Sequence, residues 1–245
     1  MKQEIIQIVV YFEALYQYIR ERFNRIFFFI KIKGMKIEIW SDIACPFCYM
    51  GKRKFDKALA QFEGKADVEI EWKSFLLNPE LVSNPSVSIF QYLADIKGFP
   101  EEQARQMMAH ITESGNAIGL DYQFEKVVLA NTMKAHQLLH EARIQGFQHE
   151  MEERLFEAHF VEGKNIDDVN LLVDLASEVG LNTTALDVKI LSSQYTEEIE
   201  ADIKLAQQFG VRGVPFFVFD RKYAVSGAQE VETFLATLTK AVGAH

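Results

Sequence analysis

The chain holds only two cysteines in 245 residues, Cys45 and Cys48. A secreted scaffold held by disulfides spreads four or more along its length, so stapling is excluded as the basis of stability and the pair is left for chemistry or metal. Positive charge is also scarce. Against 35 Asp and Glu there are 26 Lys and Arg, a formal net charge of −9 at pH 7. That excludes the basic footprint on which phosphate-backbone binding depends, and nucleic acid as a partner with it. The N-terminal part lacks a long apolar run. Its longest uncharged stretch covers residues 5–12, far short of the ~18 a membrane span needs, and no clean apolar stretch ends in a small-residue cleavage site. The location expected on these grounds is the cytoplasm, where a disulfide is transient and catalytic.

What is present is an ample core. Hydrophobic residues make up 49% and charged residues 25%, and 20 Phe supply apolar volume, as in a folded globular chain. The length fits one domain with a large insertion or two small domains. Residues 1–34 stand apart in composition. Lys2, Arg20, Arg22, Arg25, Lys31 and Lys33 outnumber Glu4, Glu13 and Glu21 there, which marks an N-terminal extension outside the catalytic fold. Its sharper reading is a basic amphipathic helix that touches membrane or a partner, because Arg20, Arg22 and Arg25 flank Ile19, Phe23 and Ile26.

Residues 36–40 alternate polar and apolar and predict a strand. From Pro46 the pattern turns helical through about Phe62, with Gly64 as its stop, and residues 68–72 alternate again as a second strand. The Cys45-Pro46-Phe47-Cys48 run thus falls where the first strand hands over to a helix. From Asn84-Pro85 to about residue 209 the periodicity is helical, with Gly98, Gly119, Gly146, Gly163 and Gly180 marking ends or turns and Pro100-Glu101-Glu102 a start. A block of this size is an inserted subdomain rather than a loop. Phe216-Phe217-Val218-Phe219 then reads as a buried strand, residues 222–226 as its partner across a turn at Asp220-Arg221, and residues 229–241 as a closing helix.

A cysteine in the first turn of a helix sits by unpaired backbone N–H groups and the positive end of the macrodipole, which favours the thiolate. That reading makes Cys45 the nucleophile. Pro46 suits an early helical position because its missing N–H has no partner to lose there. Cys48, one turn along on the same face, is within disulfide reach and reads as the more shielded, resolving thiol. The competing reading is half a zinc site completed by His136 and His140, at i, i+4 on one helix face. The gap from Cys48 to His136 does not match a compact finger, and the default for the two histidines is a surface or half-buried position. A second landmark is Gly213-Val214-Pro215-Phe216. A proline that precedes a buried strand should begin it, in a cis or a trans bond, and a cis bond would free the Val214 backbone to pair with an extended substrate.

Taken together these residues resemble the DsbA-like thioredoxin family, and within it the FrnE-like branch. The likeness runs through Ser41-Asp42 before Cys45-Pro46-Phe47-Cys48-Tyr49, Leu77-Asn78-Pro79-Glu80, Asn131-Thr132 with Ala135-His136, Leu155-Phe156 with Phe160, Gly213-Val214-Pro215-Phe216-Phe217, and Ser226-Gly227-Ala228-Gln229. It implies an α/β thioredoxin fold with a large all-helical insertion, with residues 35–80 and 196–245 forming the thioredoxin-like domain and 81–195 the insertion. It implies Cys45 as attacking thiol, Cys48 as resolving thiol and Pro215 as a cis proline, with Pro46, Phe47, Val214, Asn131 and His136 on the substrate side. Phe47 departs from the Pro-Trp common in that branch. The activity implied is thiol-disulfide exchange with proteins or small thiols, with no resident cofactor or metal and with glutathione as a candidate reductant. Two alternatives stay open. One is a glutathione-dependent isomerase or transferase of the same fold, which typically carries serine where Cys45 stands. The other is a non-enzymatic CxxC module that holds metal or a partner.

Overall fold

A computed structural model describes residues 34–243. The expectations for the N-terminal extension lie outside these residues. The sheet is mixed, in the order β2-β1-β3-β4. Its centre is β1 (Met35–Ser41), which is buried on both faces, as a central strand must be. β1 runs parallel to β2 (Val68–Ser74), with Ile37 opposite Ile70. It runs antiparallel to β3 (Phe216–Phe219), with Ile39 opposite Phe217. β4 (Tyr223–Ser226) pairs with β3 across Asp220 and Arg221, whose φ angles of 48° and 55° give a turn twisted to suit a tight hairpin. The parallel pair requires a crossover, and α1 (Pro46–Gln61) supplies it.

On one face of the sheet, α1 and the closing α9 (Val231–Val242) bury Phe55, Phe217, Phe219, Phe234 and Leu238 against Ile37, Ile39 and Trp72. The Phe55 ring lies 5.5 Å from Phe217 and 5.8 Å from Phe234, so aromatic contact adds to area burial here. On the other face Trp40, Ala206, Val211 and Val218 form a smaller core, and the Trp40 indole N–H donates to the Asp202 carbonyl at 2.9 Å.

Between β2 and β3 lie seven helices: α2 (Ile89–Lys97), α3 (Glu101–Asn116), α4 (Met133–Gln145), α5 (Gln148–Phe160), α6 (Val169–Val179), α7 (Leu186–Leu191) and α8 (Thr196–Gln208). Gly98, Gly146 and Gly180, read in the sequence as ends or turns, end α2, α4 and α6 in the left-handed conformation. The helices build a core of their own, and it is continuous with the start of α1. Ile43, Cys45, Cys48 and Tyr49 are buried in the same cluster as Leu138, Leu155, Phe156 and Leu172. Both cysteines therefore pack into the helical insertion rather than into the core of the sheet. His136 and His140 are fully buried on α4, not at its surface. Each lies near an aspartate, His136 Nε2 3.5 Å from Asp42 and His140 Nε2 3.4 Å from Asp202. No helix among the described residues is long and apolar enough to cross a membrane.

Candidate active site

Cys45 is the N-cap of α1 and Pro46 its first helical residue. The turn before it closes through the Cys45 N–H to the Asp42 carbonyl at 2.9 Å, and the first turn of the helix through the Cys48 N–H to the Cys45 carbonyl at 3.0 Å. Both cysteines are free thiols. They differ in access, Cys45 being 5% exposed and Cys48 0%. Burial, and next the neighbouring Cys45, push the Cys48 thiol well above its ordinary value. Phe47 between them is exposed.

The Cys45 thiol points at the Val214 carbonyl, 3.6 Å away, and the Val214–Pro215 bond is cis. The loop is fixed behind by the Pro215 carbonyl, which accepts the Gly227 N–H at 2.8 Å. α1 presses on it at Gly51, where an added Cβ would lie 2.8 Å from Pro215 Cγ, so this face of the helix has to be bare. The structure thus brings Cys45, Pro46, Phe47, Cys48, Val214 and Pro215 to one place. Asn131 and His136 are held elsewhere. The Asn131 amide donates to the carbonyls of Pro79 at 3.1 Å and Leu81 at 2.8 Å, and its oxygen accepts the Met133 N–H, so its capacity is spent on the chain. His136 meets Asp42 rather than either cysteine.

Sequence reasoning missed the polar groups around this pair. Asp42 accepts the N–H of Ala44 at 3.2 Å and that of Leu77 at 2.7 Å, and so shapes the loop that presents Cys45. Burial pushes its carboxyl up, but His136, the Leu77 N–H and the Thr132 hydroxyl outweigh burial and hold it below its ordinary value. Glu152, from α5, is fully buried. Its Oε1 accepts the Ser41 hydroxyl at 2.6 Å, while Oε2 has no partner. Burial therefore prevails and the carboxyl is pushed up to about 7. Tyr122 donates to the Pro46 carbonyl at 2.7 Å, and the Tyr49 ring stacks on Phe156 at 4.9 Å. His159 is buried too, and burial holds it down to about 4 although Asp42 acts the other way. The helical wheel of α5 carried a signal for two of these residues. Glu152 and His159 share a stripe with Leu155 and Phe156, so two titratable groups stand in the apolar face. Among the described residues no three His, Cys, Asp or Glu side chains converge to hold a metal ion.

The geometry suits two-electron chemistry at sulfur: a nearly buried thiol at a helix start, a fully buried thiol one turn in, and a backbone carbonyl facing the first. Comparison with known proteins points the same way. A family model described as the DSBA-like thioredoxin domain matches residues 36–239. The protein described as uncharacterized protein YwbO from Bacillus subtilis (strain 168) is 31% identical over 184 residues, 74% of this chain and 85% of that one. Among solved structures, the probable DsbA oxidoreductase SCO1869 from Streptomyces coelicolor is 36% identical with a TM-score of 0.79, over 86% of this chain and 91% of that one. The cytosolic disulfide reductase DsbM from Pseudomonas aeruginosa, solved with GSH, has a TM-score of 0.58 over 85% of this chain and 99% of that one. At 17% identity DsbM shares the fold alone.

Proposed function

This chain belongs to the DsbA-like thioredoxin domain family, and from that premise we propose that it exchanges disulfides with protein or small thiol substrates through Cys45 and Cys48. The observation that carries the reading is the division of the two sulfurs. Cys45 starts α1 with its sulfur against the Val214 carbonyl, and Cys48 is shut off from solvent one turn along. In the reducing direction Cys45, as thiolate, attacks a substrate S–S bond. One substrate sulfur leaves and takes a proton, and the other stays on Cys45 as a mixed disulfide. Cys48 then loses its proton and attacks Cys45 Sγ. The second substrate thiol leaves, and the protein pair is oxidised by two electrons as the substrate is reduced by two. A cytoplasmic setting is supported by DsbM, described as cytosolic.

The two thiols have separable failures. Cys48→Ser leaves a mixed disulfide at Cys45 with no internal thiol to release it, so adducts with disulfide substrates should accumulate and be visible by intact-mass spectrometry. Cys45→Ser should give none, since the remaining thiol is buried and held protonated. Adducts of equal yield in both variants would defeat this assignment.

A further inference from the structure

The resolving step asks Cys48 to give up a proton where it has no exposed surface. Burial, and next the neighbouring Cys45, push this thiol well above the ordinary 9.0. Even at 9.0 only about 1% would be thiolate at pH 7, so the step needs a proton acceptor inside the protein. Cys45 cannot serve, because at that moment its sulfur is held in the mixed disulfide.

Two groups face the Cys48 sulfur from the end of β1 and the residue after it, the Ser41 hydroxyl and the Asp42 N–H, and both favour its thiolate. Ser41 leads further. It is 2% exposed, and its hydroxyl donates at 2.6 Å to Oε1 of Glu152, a residue of α5 with no exposed surface. With its hydrogen turned to Glu152, the Ser41 oxygen keeps lone pairs that can accept another. Cys48, Ser41 and Glu152 thus form a buried row of thiol, hydroxyl and carboxyl, drawn from α1, β1 and the helical insertion.

The other groups around this row are taken up elsewhere. Burial raises the Asp42 carboxyl, but His136, the Leu77 N–H and Thr132 outweigh it, which leaves Asp42 the poorer proton acceptor. Tyr122 interacts with both sulfurs, but burial raises its hydroxyl, and that hydroxyl donates to the Pro46 carbonyl. Lys52 is bound to Asp56 at 2.8 Å and to Glu153 at 3.0 Å. His136, Lys52 and His149 act on Glu152 through their charge and favour its carboxylate. Burial outweighs them, and with Oε2 unpartnered the carboxyl takes up a proton near pH 7, where proton acceptance serves catalysis best.

We propose that Glu152, acting through the Ser41 hydroxyl, takes the proton that Cys48 gives up as it attacks the mixed disulfide. The proposal rests on Cys48 being the resolving thiol and adds the route of its proton. The Cys48 proton passes to the Ser41 oxygen as the Ser41 proton passes to Glu152 Oε1. The electron pair left on Cys48 forms the bond to Cys45 Sγ. The bond from Cys45 to the substrate sulfur breaks, and that sulfur leaves with its electron pair and takes a proton from solvent. Glu152 keeps its proton while the pair is oxidised, and returns it to Cys48 when a reducing thiol restores the pair. Two electrons from the protein and two protons from solvent therefore make the two substrate thiols.

The test mixes the reduced full chain with excess 5,5′-dithiobis(2-nitrobenzoate) in a stopped-flow instrument between about pH 5 and 9. One thionitrobenzoate is released when Cys45 attacks and a second when Cys48 resolves, and the second phase is read where it no longer depends on reagent concentration. In the parent it should rise with pH and level off above about pH 7, as Glu152 ionises. A second phase that climbs about tenfold per pH unit through to pH 9 would overturn the proposal, since solvent hydroxide would then be the base. Glu152→Gln should slow the second phase relative to the first by about 100-fold at pH 7 and remove the plateau. Ser41→Ala should do the same, and the double variant should be no slower than either single one, because each breaks the same route. Circular dichroism shows whether each variant is folded, and the parent profile decides if one is not. A Glu152→Gln chain that keeps the parent's plateau, or that slows both phases alike, would overturn the proposal while exchange at Cys45 and Cys48 stands. If fewer than two thionitrobenzoates are released per chain, the resolving role of Cys48 falls and the proposal with it.

Discussion

Asp42 and Glu152 are two carboxyl groups buried to the same extent, yet one is pushed toward the ionised form and the other toward the protonated form. Burial is the largest influence on both and works in the same direction. What separates them is the supply of donors. Asp42 faces two backbone N–H groups, the Thr132 hydroxyl and His136, whereas Glu152 receives only the Ser41 hydroxyl and has a bare Oε2. Depth alone does not assign charge; the count of hydrogens aimed at the oxygens does.

The comparison breaks most visibly at Asp42. Asp42→Ala leaves the Ala44 and Leu77 N–H groups without their acceptor and takes the nearby carboxylate from His136, and we expect a loss of about 3–5 kcal/mol in denaturant unfolding. A loss under about 1 kcal/mol would show that the loop rearranges freely and that Asp42 is not its anchor. The sign for acid follows from the lowered value. Asp42 contributes stability above its unfolded value of 3.8, and that contribution is lost as pH falls through the folded value.

Glu152 should behave in the opposite sense. Its folded value near 7 lies above the ordinary 4.5, so its contribution is full below 4.5 and fades as pH rises through 7. At ~1.4 kcal/mol per unit, that amounts to about 3 kcal/mol at most. His159 runs against it, because its folded value of about 4 lies below 6.5 and its stability is gained between those two values as pH rises. Between pH 4.5 and 6.5 the two slopes offset each other. Glu152→Gln removes one of them, so the variant should gain stability with rising pH across that window and exceed the parent by about 1–3 kcal/mol at pH 8. A constant difference between parent and variant from pH 5 to pH 8 would mean that Glu152 is ionised in the folded chain.

The smallest change sharpens the role of the histidine. In His136→Phe, Asp42 keeps both backbone donors, and the expected cost is about 1–2 kcal/mol. The acid limb of the stability curve should move to higher pH, because one of the groups holding the carboxylate charged is gone. An unmoved acid limb would assign that work to Leu77 and Thr132 alone.

The skeleton of this arrangement was legible in the sequence where the signal is local. Alternation placed β1 and β2, the Phe216-Phe217-Val218-Phe219 run placed β3, and glycines that need positive φ marked the ends of α2, α4 and α6. The same local signal put the Cys45-Pro46-Phe47-Cys48 run at the start of α1. The donors around it were not legible, because they arrive from far along the chain. Ser41 and Glu152 are 111 residues apart, and Pro46 and Tyr122 are 76 apart. His136 and His140 illustrate the limit. Their spacing gave a shared face, but only tertiary packing could show that this face is buried and that each ring meets an aspartate from a different element. For Asn131, which the family likeness puts on the substrate side, the sequence did not show the three hydrogen bonds that tie its side chain to Pro79, Leu81 and Met133.

Cys45 and the Val214 carbonyl that faces it are separated by 169 residues, with the whole helical insertion between them. At about 5–20 residues per second, translation takes roughly 8–34 s to supply the second after the first. Through that interval the growing chain carries both thiols but not the backbone opposite them, nor Phe234 and Leu238 of α9, which close the core beneath α1. The nascent protein therefore holds both thiols well before it holds the backbone that faces them, and their shared environment is complete only when synthesis nearly is.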